Sequence, residues 1–134
     1  LDPLYSVFNV PNDENTPTRL LHLSFREFLK ERKSLFWIDK RGTHKKLATR
    51  CLELMSEPDV LHENMCNLSG PGVSASEIDK GIIARSLPPI LQYACCYWVG
   101  HLTHSKQAII DGDTTHVFLT NHLLHWIEAM SLIG

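Results

Sequence analysis

The pattern of apolar and polar positions changes period near residue 40. Before that point, apolar and aromatic residues cluster in two short runs, YSVFNV (5–10) and TRLLHL (18–23). The polar stretch PNDENTP between them is rich in turn-forming residues. After Asp39, apolar positions recur at steps of three and four, which is the period of an α-helix. The pattern therefore predicts a β-hairpin followed by a helical region.

A helix start is predicted directly after the second run. Ser24 and Glu27 match the S-x-x-E capping box, in which each side chain satisfies a free amide at the other residue. Phe25, Phe28 and Leu29 then share one helical face.

Three longer helices are predicted beyond residue 39. The first has Asp39 or Thr43 as its cap and Glu57-Pro58 as its stop, and its apolar stripe is Leu47, Ala48, Cys51, Leu54 and Met55. Residues 57–86 are predicted to form a long connection that holds one or two short helices, around LHENMCNL (61–68) and SASEIDKGIIA (74–84).

The second long helix is predicted to begin at Pro88-Pro89, because a first helical turn tolerates missing amide donors. Its stripe consists of Leu91, Ala94 or Cys95, Trp98 and Leu102. The last helix is predicted to start near Asp113 or Thr114, with Leu119, Leu123, Trp126, Ile127 and Met130 facing inward. The predicted fold class is mainly α, with a small β-hairpin followed by a helical bundle or arm.

Composition fits a soluble globular protein. The chain has 134 residues, 43% of them hydrophobic and 21% charged, with a formal net charge of -2. No apolar run is long enough to cross a bilayer, and no signal peptide is recognisable at the N-terminus. The four cysteines contain no C-x-x-C pair, so we expect reduced thiols in a cytoplasmic protein. Because the first residue is Leu1, we expect a segment of a longer protein.

The common local motifs of catalysis are absent from the sequence. There is no G-x-x-x-x-G-K-S/T phosphate loop, G-x-G-x-x-G turn, G-x-S-x-G elbow or H-E-x-x-H. We therefore predict no catalytic residues and no enzymatic activity for this segment.

Two histidine pairs raise a metal-binding alternative. His101 with His104, and His122 with His125, each fit one helix face, and Cys95 could assist them in holding zinc. No carboxylate or C-x-x-C accompanies the pairs at metal-ligand spacing. We favour structural or surface histidines and predict no metal site.

A basic stretch raises a DNA-binding alternative. Its members are Arg26, Lys30, Arg32, Lys33, Lys40, Arg41, Lys45, Lys46 and Arg50. Winged-helix proteins read DNA with a helix that precedes the wing, but only LDPL precedes the hairpin here. Aromatic residues are not interleaved with the basic ones. A solvated helix face is the favoured interpretation, and we predict no nucleic-acid partner.

Five blocks in order carry a family resemblance: LLHLSFREFL, LATRCLELMS, MCNLSGPG, LPPILQYACCYWVGHL and FLTNHLLHWIEAMSLIG. They resemble the segment after the NACHT nucleotide-binding module in fungal signal-transducing NTPases, which include heterokaryon-incompatibility proteins of the NACHT and WD-repeat type. The resemblance implies that residues 1–38 end a winged helix, whose wing is the hairpin, and that residues 39–134 form a helical linker. It also implies an upstream NACHT domain, a downstream WD-repeat sensor and oligomerisation on activation.

The resemblance implies a role for His22. In the wider NOD-like receptor family, the pattern apolar-His-x-Ser/Thr-Phe-x-Glu-Phe closes the winged helix, and its histidine contacts the β-phosphate of ADP. His22-Leu23-Ser24-Phe25-Arg26-Glu27-Phe28 matches that pattern. An imidazole N–H can donate a charge-assisted hydrogen bond to phosphate. ADP or ATP with Mg²⁺ would then be the cofactor of the parent protein, outside this segment.

Two other interpretations stay open. By spacing alone, His22 is a strand histidine that hydrogen-bonds a backbone carbonyl and has only a structural role. The helical part could likewise be a free-standing interaction module that binds a partner through an exposed stripe. The resemblance favours a connector that couples nucleotide state to sensor engagement in fungal non-self recognition or programmed cell death.

Overall fold

The computed structural model of the chain describes the backbone at Phe8–Asn9 and Arg19–Leu20 and the continuous stretch 38–134. The chain divides into two compact units, Leu1–Thr43 and His44–Gly134. The predicted division after residue 38 stays a prediction. The predicted capping box of Ser24 and Glu27 lies outside the described residues.

A short antiparallel pair is present in the first unit. Strands β1 (Phe8–Asn9) and β2 (Arg19–Leu20) pair with Phe8 opposite Leu20 and Asn9 opposite Arg19. The rest of the predicted hairpin falls outside the described residues, and a wing is not seen in the described part of the chain. The winged-helix assignment therefore stays a prediction.

Residues 38–134 are mainly helical, as predicted. Four α-helices lie in this stretch: α1 (Lys40–Ser56), α2 (Lys80–Ser86), α3 (Pro89–Ser105) and α4 (Thr114–Ile133). A single 3₁₀ turn, Ala75–Glu77, precedes α2. The predicted order of one long helix, a long connection and two long helices is confirmed.

The ends of α1 follow from local chemistry. Asp39 directly precedes the helix, and its carbonyl accepts a hydrogen bond of 2.8 Å from the amide of Thr43. Asp39 is thus the predicted start that the structure adopts, because Thr43 already lies inside the helix. At the other end, α1 stops at Ser56, two residues before Pro58, since proline disfavours helical backbone in the residue before it.

One short helix predicted in the connection is wrong. Residues 61–68 form turns and no helix, because Asn64 and Asn67 have φ of 56° and 51°. These left-handed values interrupt a right-handed helix, and asparagine tolerates them better than most residues. The second short helix is confirmed as α2, where Asp79 accepts hydrogen bonds of 2.7 and 3.3 Å from the amides of Gly81 and Ile82.

Proline and aspartate set the starts of the two long C-terminal helices. Pro88 caps α3 and Pro89 is its first residue, as predicted. Asp113 caps α4, and its carboxylate accepts a hydrogen bond of 2.7 Å from the amide of His116.

One core joins α1, α3, α4 and the connection. Its buried residues are Cys51, Leu52, Met55, Leu61, Met65, Cys66, Ile78, Leu87, Leu91, Ala94, Cys95, Trp98, Phe118, Ala129 and Leu132. In the predicted stripes of α1 and α3, Leu54 and Leu102 pack against this core, Ala48 is buried and Leu47 is half-buried, and the remaining residues belong to the core itself. The indole ring of Trp98 meets Phe118 and Trp126 edge to face, with ring centroids 5.5 and 5.4 Å apart.

The predicted inward face of α4 is partly wrong. Leu123 and Ile127 are 40% and 51% exposed, whereas Phe118 and Ala129 are fully buried. The apolar residues surround most of α4, so its sequence offers more than one stripe at helical spacing. Packing against Trp98 selects the stripe that contains Phe118.

Candidate functional site

His22, for which the family resemblance implies a nucleotide contact, lies outside the described residues. Its proposed contact with ADP therefore stays a prediction. The functional groups that the structure does place together lie in residues 44–134.

Four side chains on α1 and α3 form a histidine–tyrosine network, consisting of His44, Tyr93, His101 and His104. The Nδ1 atoms of His44 and His101 lie 2.8 Å apart, and Nε2 of His101 lies 2.6 Å from the hydroxyl of Tyr93. The His44 ring stacks on His104 with centroids 4.9 Å apart. The network thus makes a polar connection between the two helices.

The surroundings shift the titration of this network. Burial lowers the pKa of His101 below its usual value, and the neighbouring rings of His44 and His104 lower it further. Burial also raises the pKa of Tyr93, with contributions from Cys51 and Tyr97. Both shifts favour the uncharged side chains.

The two predicted histidine pairs have different environments. Within the first pair, His101 faces His44, while Nδ1 of His104 donates a hydrogen bond of 2.7 Å to the carbonyl of Gly100. The second pair keeps its Nδ1 atoms 3.4 Å apart, and His122 stacks on Phe118. In the part of the chain that the structure describes, no three His, Cys, Asp or Glu side chains are grouped to hold a metal ion.

Three cysteines are packed and one is accessible. Cys51, Cys66 and Cys95 are buried, whereas Cys96 is exposed on α3. Burial raises the pKa of the Cys95 thiol to about 11, with smaller contributions from Cys96 and Cys51. Burial likewise raises the pKa of Cys51. The thiols of Cys51 and Cys95 are therefore held in their unreactive protonated form.

A carboxylate of α4 holds the connection in place. Glu128 accepts hydrogen bonds of 3.1 and 3.0 Å from the amides of Asn64 and Met65. The side chain of Asn64 in turn donates to the carbonyl of Leu68 and accepts from its amide, at 3.0 and 2.7 Å. These two hydrogen bonds close a turn over residues 64–68, which overlaps the start of the MCNLSGPG block.

Two open grooves lie beside these contacts. One, of about 620 Å³, runs between the connection and α4, and its lining includes Asn64, Pro71, Val73 and Glu128. The other, of about 350 Å³, lies between α1 and α3. Its lining includes the apolar residues Leu54 and Ala94 together with Tyr93.

The described part of the basic stretch is a solvent-exposed face. Lys40, Arg41, Lys45, Lys46 and Arg50 are all exposed. Arg50 forms an ion pair of 2.8 Å with Glu53, one turn further along α1. The absence of a nucleic-acid partner stays a prediction.

Sequence reasoning missed His44 and the pairing of Asn64 with Glu128. Both contacts join residues more than 50 positions apart. Spacing rules relate residues within one helix, so they carry no signal for such contacts. The nearest signal for the turn is its two asparagines, Asn64 and Asn67, because asparagine tolerates left-handed backbone.

None of the helices in residues 38–134 combines the length and the apolar character that a bilayer crossing requires.

Comparison with known proteins finds similarity to one part of a fungal protein. No model of a known protein family matches the chain, and no solved structure matches it. The chain is similar to "Vegetative incompatibility protein HET-E-1" of the fungus Podospora anserina, with 33% identity over 96 residues. The match covers 63% of this chain and 6% of that relative, so the chain spans a small part of the relative's length.

Proposed function

We propose that this chain is a non-catalytic connector of a NACHT-type signal-transducing NTPase in a fungal non-self recognition protein. In this role it transmits the nucleotide state of an upstream NACHT domain to a downstream WD-repeat sensor and to oligomerisation. The protein would act in the cytoplasm. The observation that carries the proposal is the similarity to a vegetative incompatibility protein, which agrees with the family that the five sequence blocks resemble.

The packing of the helices supports a mechanical role. A connector must move as a unit, and the interior of a well-packed domain resists deformation. Here α3 and α4 are joined by the aromatic contacts of Trp98 and by the hydrogen bond from Trp126 to Cys95. The bond pair of Glu128 ties the long connection to the same core.

The switch itself would lie at His22. Its imidazole would donate a hydrogen bond to the β-phosphate of ADP in the resting state, and the phosphate would favour the protonated ring. A contact made only in the closed state biases the population towards that state. Loss of the contact would therefore promote opening and self-association.

The experiment uses the full-length parent protein with ADP bound. We expect His22→Ala to release ADP faster than the wild type and to self-associate at lower concentration. His125→Ala is the matched control, because it removes a histidine on α4 without touching the proposed contact. Unchanged ADP retention in the His22 variant would rule out this role.

A second candidate function is a helical interaction module. Apolar side chains stand exposed on α3 and α4, among them Ile90 at 67%, Tyr97 at 56% and Leu124 at 77%. Single exposed apolar residues are normal, but a contiguous stripe marks a contact surface. A monomer of the 134-residue chain that binds no apolar dye would favour a self-contained connector. Dye binding or aggregation would indicate that a neighbouring domain, which covers this surface in the parent protein, has been removed.

A further inference from the structure

The contact between the imidazoles of His44 and His101 limits how many protons these two rings can hold. Nδ1 of His44 and Nδ1 of His101 are 2.8 Å apart, which is hydrogen-bonding distance. A ring nitrogen either carries a proton and donates or has a lone pair and accepts. One proton between the two Nδ1 atoms therefore makes the bond, and two protons would repel.

When both imidazoles are uncharged, the hydrogen bonds from Tyr93 through His101 to His44 all run in one direction. Tyr93 O–H donates to Nε2 of His101, whose Nδ1–H then donates to Nδ1 of His44. In this state each imidazole has one proton and each contact has one donor and one acceptor. His104 stands outside this line, because its Nδ1–H donates to the carbonyl of Gly100.

Adding one proton reverses the donor and acceptor roles in both hydrogen bonds but breaks neither of them. His44 then carries both protons and donates through Nδ1 to His101, which donates through Nε2 to the oxygen of Tyr93. The phenol oxygen can accept because it has free lone pairs. A second added proton has no place in this arrangement, since both Nδ1 atoms would be donors.

We propose that His44 and His101 form an acid-sensitive latch, which holds α1 against α3 until both imidazoles are protonated and then opens. The energy source is the repulsion of two imidazolium rings whose N–H groups point at each other across a partly buried contact. Opening would separate the two helices that line the smaller groove.

The described groups around His101 oppose its protonation. His101 faces His44 from α1 and Tyr93 and His104 from its own helix, and Tyr93 in turn faces Cys51 and Tyr97. The described neighbours of His101 thus include no carboxylate to balance the added charge. The lowered pKa of His101 agrees with this. The pKa of His101 is lower in the folded chain than the usual value of 6.5. Neutral His101 therefore contributes its full stabilisation of the fold above pH 6.5, and this stabilisation is lost as the pH falls below 6.5 towards the lowered pKa.

A second histidine pair, His122 and His125, serves as an internal control for the latch. His122 and His125 also present Nδ1 to Nδ1, but at 3.4 Å and within one helix, α4. Protonation of that pair pushes two side chains apart on one helix surface. It does not separate two helices.

The test is a pH titration of the intact 134-residue chain between about pH 8 and about pH 5, the range in which histidines change charge. Imidazole ¹⁵N signals report which ring nitrogens are protonated. Amide hydrogen exchange in residues 44–48, corrected for its intrinsic pH dependence, reports the opening of α1. We expect exchange in this segment to rise about tenfold or more towards the acid end, as the second imidazole gains its proton.

Two variants distinguish opening caused by protonation of the latch from a general loss of stability in acid. His44→Phe keeps a ring on His104 but cannot titrate, so its α1 exchange should depend little on pH. His125→Phe should keep the wild-type dependence. Full protonation of both His44 and His101 in the wild type while α1 stays protected would overturn the proposal, whatever the stability of the variants. Equal acid response in His44→Phe and the wild type would also overturn it.

Discussion

The indole N–H of Trp126 donates a hydrogen bond of 2.9 Å to the main-chain carbonyl of Cys95, which links α4 to α3. The other indole of the core, that of Trp98, is buried with its Nε1 unpaired among the described residues. The two tryptophans touch edge to face, so one packing site contains a satisfied and an unsatisfied indole.

This contrast predicts an unusual order of stabilities. Trp126→Phe removes a hydrogen bond and some packing, and we expect the free energy of unfolding to fall by about 1 to 2 kcal/mol. Trp98→Phe also loses packing, but it removes a buried N–H without a partner, which offsets part of the loss. We expect the Trp98 variant to lose no more stability than the Trp126 variant, although Trp98 is only 3% exposed. Urea unfolding of both variants measures this, and a clearly larger loss for Trp98→Phe would contradict it.

The carboxylate of Glu128 should control the order of the connection. Glu128→Gln removes the charge that accepts from the amides of Asn64 and Met65, and we expect a loss of about 1 to 3 kcal/mol. Hydrogen exchange should accelerate at residues 64–68 more than in α3. Glu63→Gln changes an exposed glutamate of the same turn and serves as the control. Equal exchange at residues 64–68 in the two variants would show that Glu128 does not hold the turn.

The side chain of Asn64 forms two hydrogen bonds with Leu68, and its backbone is left-handed. Two substitutions separate the contributions of these two features to stability. Asn64→Gly loses the two bonds to Leu68 but adopts φ near 56° without strain. Asn64→Ala loses the bonds and also bears the cost of that backbone. We expect the alanine variant to be less stable than the glycine variant by about 1 kcal/mol. Equal stability by thermal unfolding would mean that the turn relaxes out of the left-handed region.

The cap of α4 predicts a pH dependence. Hydrogen bonds from the amides of His116 and Ile110 lower the pKa of Asp113 below its usual value of 3.8. The ionised cap therefore stabilises the fold above that pH, and the stabilisation is lost as the pH falls through the lowered pKa. Asparagine caps helices well but does not titrate. The Tm of Asp113→Asn should thus decrease less than that of the wild type between about pH 6 and about pH 3. Asp111→Asn, in the same loop, should behave like the wild type; if it loses the same pH dependence, the effect does not come from the cap.

Thiol accessibility gives a direct check of the core. Iodoacetamide should modify Cys96 in the folded chain and leave its neighbour Cys95 unmodified, because the Cys95 thiol is buried and its pKa is raised to about 11. All four thiols should react in denaturant. Peptide mapping by mass spectrometry distinguishes the two adjacent residues. Equal labelling of both in the native chain would place Cys95 outside the core.

The sequence predicted the helices well where their apolar stripes are narrow. In α1 the residues Ala48, Cys51 and Met55 form one buried row between charged positions, so the period identifies both the helix and its face. In α4 the only Asp, Glu, Lys or Arg is Glu128, so polarity does not select a face. Its inward residues depend on packing against α3, which spacing does not show.

The candidate site was less predictable than the fold. The spacing of His101 and His104 suggested a pair, but His101 contacts His44, which is 57 residues away in sequence. Such a contact depends on how two helices dock. Similarly, the sequence predicts a short helix around residues 61–68, whereas Asn64 has left-handed backbone there and forms hydrogen bonds with Leu68 and Glu128.

We propose that this chain belongs to a nucleotide-switched signalling protein, and the decisive measurement is the sequence of the full transcript on both sides of the segment. We expect the upstream reading frame to encode a G-x-x-x-x-G-K-S/T phosphate loop and the downstream frame to encode WD repeats. A natural reading frame that starts near Leu1 would contradict the claim, because no nucleotide-binding domain would then be present for His22 to report on.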